Sequence, residues 1–207
     1  MKTISTVLIR TDEELMREYQ SGQSQSFEEL VLRYETALYN FTLIYFRDPS
    51  TAEDILQDII IKVVENRHRY DPERPFKPWI YRIARNRIFD ELRKNQRWYQ
   101  RFLPSGHQGF PDGRVPRDSG DYPARTPSPQ KTLAVKELSV ILYMALQDLD
   151  SRSRELIILR HLQGLPVRDV ALILDMNEGT VHSGTHRAIA KLQEALLKRG
   201  IRKEDIL

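Results

Sequence analysis

Along this chain, apolar residues recur at helical spacing in blocks separated by turn-forming residues. Phe27, Leu30, Val31, Tyr34, Leu38 and Phe41 follow the i, i+3, i+4, i+7 pattern of a buried helical face, starting after Ser26, a candidate cap. Ala52, Ile55, Leu56, Ile59, Ile60, Val63 and Val64 form a second stripe, and Leu138, Ile141, Leu142, Ala145, Leu146 and Leu149 a third. No stretch alternates apolar and polar residues as a half-buried strand would, and no solenoid period repeats. The pattern predicts an all-α protein.

One long segment has no period at all. Residues 104–130 hold six of the eleven prolines and four of the nine glycines, the composition of a flexible linker. The expected organisation is two small helical domains joined by that linker. It runs as an N-terminal tail (1–10), a first domain (11–101), the linker (102–131), a second domain carrying a helix-turn-helix (132–200) and a C-terminal tail (201–207).

Composition mainly excludes. Lys and Arg total 32 against 29 for Asp and Glu, so the net charge of +3 says little until its distribution is known. With no cysteine there is no disulfide framework, thiolate nucleophile or Cys-based zinc site, as suits a reducing cytosol. No apolar run approaches the roughly 20 residues of a membrane span. The patch Val7-Leu8-Ile9 meets Arg10 and Asp12-Glu13-Glu14 too soon for a secretory core. A cytoplasmic protein with no membrane insertion is expected.

Enzyme signatures are missing: no phosphate-cradling G-x-x-x-x-G-K-[ST], no dinucleotide G-x-G-x-x-G and no G-x-S-x-G elbow. No catalytic residue and no cofactor is therefore expected. His182 and His186, at i, i+4, have the spacing of a metal pair but lack a Cys or an H-E-x-x-H glutamate. They are read as exposed and facing DNA, with no metal.

Three segments carry more. Asp54, Gln57, Asp58, Ile61 and Glu65 lie opposite the apolar stripe of their helix. That is either a solvated face or a docking surface, since interfaces join an apolar spot to a polar rim. From Arg82 to Arg101 seven basic residues stand against two acidic ones, a net +5. Phe76, Trp79, Tyr81, Phe89, Trp98 and Tyr99 precede this run or interleave with it. Guanidinium groups neutralise phosphates and aromatic faces stack on unpaired bases, so the combination favours single-strand-capable DNA binding; core packing is the alternative for Phe76 and Tyr81. Finally, Gly164 closes one helix, Pro166 opens the next, and Asn177 caps a third after the turn Asp175-Met176-Asn177. In that third helix Val181, Ala188 and Leu192 point inward, while Glu178, His182, Ser183, His186 and Arg187 point outward as a major-groove helix requires.

Taken together these segments resemble the extracytoplasmic-function sigma factors, the compact two-domain branch of the sigma-70 family. The resemblance is carried by Asp12-Glu13-Glu14-Leu15 through Phe27-Glu28-Glu29-Leu30-Val31, by Ala52-Glu53-Asp54-Ile55-Leu56-Gln57-Asp58, and by Phe76-Lys77-Pro78-Trp79-Ile80-Tyr81-Arg82 continuing to Asp90-Glu91-Leu92-Arg93. In the second domain it rests on Asp169-Val170-Ala171, Gly179-Thr180-Val181 and His186-Arg187-Ala188. It implies a non-enzymatic subunit whose partners are core RNA polymerase, promoter DNA and an anti-sigma factor. Asp54, Gln57, Asp58 and Ile61 would dock on polymerase. Phe76, Trp79, Arg82, Arg85, Asn86, Asp90, Arg93 and Lys94 would open and hold the −10 element. Glu178, Thr180, His182, Ser183, His186 and Arg187 would face the −35 element. A helix-turn-helix regulator that does not recruit polymerase is the rival. Gly184 has no packing reason visible in the sequence: either the backbone there approaches another helix or the DNA closely, or, the favoured reading, a basic contact has been given up, leaving −35 binding weak.

Overall fold

A computed structural model describes residues 10–102 and 129–201, with side chains over 10–94 and 138–201. The segment 103–128, which holds most of the expected linker, and the tails 1–9 and 202–207 lie outside the described residues. The described residues form helices and turns with no strand. The chain divides into two compact units, Met1–Gln108 and Gly109–Leu207.

The first unit contains α1 (Asp12–Gln20), α2 (Ser24–Phe46), α3 (Pro49–Asn66), a 3₁₀ turn (Arg67–Arg69) and α4 (Phe76–Phe102). A capping box starts α1: Thr11 Oγ1 accepts from the Glu14 N–H at 3.2 Å, and Glu14 Oε2 accepts from the Thr11 N–H at 2.8 Å. Two residues turn α2 into α3. Arg47 adopts a left-handed φ of 53°, and Asp48 then caps α3 by accepting from the Thr51 N–H at 2.8 Å, with Pro49 in the first turn. Leu15 and Met16, Leu30 to Phe41, Ala52 to Val63, and Phe76 to Ile88 each contribute a buried row to one core. Each large side chain there contributes roughly 1.5–3 kcal/mol.

The second unit contains α5 (Pro129–Gln147), α6 (Ser151–Ile157) running into a π-turn (Ile158–Leu162), α7 (Val167–Leu174) and α8 (Glu178–Leu197). Asp150 caps α6, accepting from the Ser153 N–H at 2.9 Å. The Arg154 guanidinium donates to the carbonyls of Leu146, Gln147 and Leu149 at 2.8, 2.9 and 3.1 Å, satisfying groups that the end of α5 leaves open. The helix-turn-helix follows the expected punctuation. Gly164 has φ 63°, Asp175 takes the left-handed φ 53°, and Asn177 caps α8.

Two local expectations need correction. Helix α2 starts two residues before Ser26, which is buried and donates its hydroxyl to Glu18 instead of capping. Helix α5 starts at Pro129, since proline costs little in a first helical turn. Its apolar stripe is also only partly buried: Ala145, Leu146 and Leu149 are in the core, Ile141 and Leu142 are half-buried, and Leu138 is exposed.

Candidate functional site

The outward face of α3 presents Asp54, Gln57 and Ile61 to solvent, with Ile61 53% exposed. Asp58 differs from them. It accepts from Arg87 of α4, Nε to Oδ2 at 2.7 Å, while Arg87 Nη1 reaches Glu91 at 2.9 Å. Burial acts to lower the pKa of the Arg87 guanidinium, but the hydrogen bonds to Asp58 and Glu91 outweigh it and hold the pKa above its ordinary value. Asp58 therefore pins α3 to α4 as well as standing on the acidic face.

Helix α4 separates cleanly into two faces. Phe76, Ile80, Tyr81, Ala84 and Ile88 are buried; Arg82, Asn86, Asp90, Arg93 and Lys94 are exposed. Phe76 is fully buried, its ring edge-on to Tyr34 at 5.4 Å and Tyr70 at 5.6 Å, so its expected place on the DNA face is corrected to a core role. Tyr81 is likewise core. Trp79 is half-buried at the rim of this cluster, 4.9 Å from the Tyr70 ring. Arg85 is half-buried, its guanidinium 4.9 Å from the centroid of Phe89. Asp90 pairs with Arg93, and Glu91 lies 3.6 Å from Lys94. The side chains of Arg97, Trp98, Tyr99 and Arg101 lie outside the described residues.

Distant residues position the start of this helix. The Phe76 N–H donates to Glu13 Oε1 of α1 at 2.8 Å. Gln20 Nε2 donates to the carbonyls of Arg67 and Tyr70 at 2.6 and 2.9 Å, clamping the turn between α3 and α4.

In the second unit, Asn177 Oδ1 accepts from both the N–H and the hydroxyl of Thr180 at 2.7 Å, so Thr180 helps build the start of α8. Glu178, His182, Ser183, His186 and Arg187 are exposed on one face, with the His182 and His186 rings edge-to-face at 4.8 Å. Val181, Gly184, Thr185 and Ala188 form the opposite, buried face. For Gly184 this favours the close approach to another helix over a vacated basic contact. It faces inward, and a Cβ at this position would lie 2.9 Å from Leu156 Cδ1 of α6. Among the described residues no three His, Cys, Asp or Glu side chains gather as a metal site.

Comparison with known proteins decides the family. Residues 30–98 match Sigma-70 region 2 and residues 139–192 match Sigma-70, region 4. The chain is 31% identical over 186 residues to the RNA polymerase sigma factor NccH of Alcaligenes xylosoxydans xylosoxydans, covering 89% of this chain and 94% of that one. The chain belongs to the extracytoplasmic-function sigma factors. The sigma factor CarQ of Myxococcus xanthus is 28% identical over 181 residues, covering 87% of this chain and 95% of that relative. The sigma factor RpoE of Bartonella quintana, solved in complex with the anti-sigma factor NepR, superposes with a TM-score of 0.63 at 28% identity, covering 84% of this chain and 98% of that one.

In this sigma factor the sequence patterns missed Glu13, Gln20, Tyr70 and the Asp58–Arg87 pair. Each depends on a partner brought in from another helix, and no local spacing signals that. Among the described residues no helix is long and apolar enough to cross a membrane.

Proposed function

We propose that this sigma factor acts in the cytoplasm, binding core RNA polymerase through the outward face of α3, holding the melted −10 strand on the outward face of α4, and placing α8 in the −35 major groove. The observation that carries the docking role is Ile61, an isoleucine left open at the centre of a face edged by Asp54 and Gln57. On α4, Arg82, Asn86, Asp90 and Arg93 recur on one side over about 16 Å, the length of about five stacked nucleotides. Trp79 at one end offers a stacking face. Stacking contributes roughly 1–3 kcal/mol per base, comparable to the few kcal/mol that unpairing costs. The protein carries no reaction of its own on this account; it supplies promoter choice and melting to polymerase.

Control by an anti-sigma factor is part of the same proposal, supported by the Bartonella relative solved with one. The test is run-off transcription from a genomic fragment library with core enzyme, in parallel with gel filtration of the two proteins. Co-elution and discrete start sites are expected. Sequence-specific DNA binding without co-elution would favour the regulator instead.

A further inference from the structure

The buried face of α8 near its N-terminus is built only from Val181, Gly184, Thr185 and Ala188. Thr185 turns its hydroxyl back to the Val181 carbonyl at 2.7 Å. Facing this strip is Leu156 of α6, 2% exposed and fixed in the core. The 2.9 Å between its Cδ1 and a Cβ at position 184 is shorter than the 3.5–4.0 Å of ordinary carbon contact. Any side chain at 184 therefore requires either Leu156 or one of the two helices to yield by about 0.6 Å.

Leu156 is 2% exposed, and close packing leaves a side chain so deep in the interior little empty space to turn into. The displacement then falls on α8, along the direction from its buried to its exposed face. His182, Ser183, His186 and Arg187 ride on that exposed face.

We infer that Gly184 is a positioning residue for promoter recognition: by letting α8 seat against Leu156 it sets the depth at which the recognition side chains stand out from the helix-turn-helix. The inference rests on the assignment of α8 to the −35 groove and deepens it. Base-edge contacts require placement within about 0.5 Å, whereas phosphate contacts depend mainly on charge. Adding a Cβ should therefore damage sequence discrimination and leave non-specific binding alone.

The test uses the full chain and two probes: a duplex captured by the wild-type protein from a randomised pool, and a scrambled duplex of equal length. Binding is measured against salt concentration, below the melting temperature of each variant. Gly184→Ala should weaken binding to the selected duplex by about tenfold, roughly the value of one good base contact. Affinity for the scrambled duplex and the salt slope should not change. Adding Leu156→Val, which removes the Cδ atoms, should restore the selected-duplex affinity. If Gly184→Ala does not fold, the double variant still decides: folded with wild-type affinity supports the inference, folded with weak affinity overturns it. Wild-type discrimination in Gly184→Ala overturns it as well. So does a Gly184→Arg variant that tightens binding to both duplexes and steepens the salt slope, which is the behaviour of a vacated basic contact. Arg187→Ala separates the two levels. If it leaves selected-duplex binding unchanged, the −35 assignment of α8 fails and the inference with it; if it weakens binding while Gly184→Ala does not, only the positioning role fails.

Discussion

Two residues on the outward face of α3, Asp58 and Ile61, should respond very differently to substitution. Ile61 is 53% exposed and has little to lose in the free protein. Covering its open half on docking is worth about 1–1.5 kcal/mol, and an unpaired carboxylate in the same place costs a further 1–3 kcal/mol or so. Ile61→Asp should thus weaken core binding by roughly 30- to 2000-fold with an unchanged melting temperature. Asp58→Arg must also break the pair with Arg87, whose side chain is only 15% exposed, and set one guanidinium against another. Because Asp58 itself is 46% exposed, the full cost of a broken buried pair does not apply, and about 1–2 kcal/mol is expected. In a unit of this size that lowers melting by roughly 4–16 °C. The charge swap Asp58→Arg with Arg87→Asp should recover most of the melting temperature but not core binding, since the docking face keeps the wrong sign. Circular dichroism melts and co-elution with core polymerase measure the two effects separately. Two results would refute this account: wild-type co-elution of Ile61→Asp, or recovery of core binding in the swap, which would mean that Asp58 acts only through the fold.

Asp175→Gly should stabilise the second unit by up to about 1 kcal/mol, because glycine adopts the left-handed φ of 53° without the Cβ penalty; a urea midpoint that does not rise would count against it. Asp150 accepts from Lys191 and from both the N–H and hydroxyl of Ser153, which hold its carboxyl well below the usual carboxylate range. Since its pKa is depressed on folding, its stabilising contribution is complete above about pH 4–5 and is lost as pH falls toward the folded value. Asp150→Asn should accordingly flatten the acid dependence of melting, measured from about pH 5 down to 2. Arg82→Ala, a change at an exposed position of α4, should leave melting unchanged and weaken promoter binding, reducing the salt slope by about one phosphate contact; an unaltered slope would remove Arg82 from the DNA path.

Much of this protein was legible in residue order alone. The stripes of α2 and α3, the Gly164 stop, the Asn177 cap and the turn Asp175-Met176-Asn177 are local facts, set by side chains within a few positions of one another. Helical periodicity also placed His182, Ser183, His186 and Arg187 on one face, because phase along a single helix needs no knowledge of its neighbours. Tertiary structure decided everything that depends on what stands opposite. Phe76 looked like one more aromatic before a basic run, and only the rings of Tyr34 and Tyr70 closing around it make it core. Asp58 looked like a solvated or docking carboxylate, with no partner in its own chain, until α4 brought Arg87 across from 29 residues away. Gly184 has no side chain to contribute to an apolar pattern, so the choice between a close approach and a vacated contact stayed open until Leu156 of α6 came to stand against it. A sequence records which face of a helix each residue occupies; the distance between two faces exists only once the helices have packed, and that distance separates a docking carboxylate from a tether and a missing contact from a close fit.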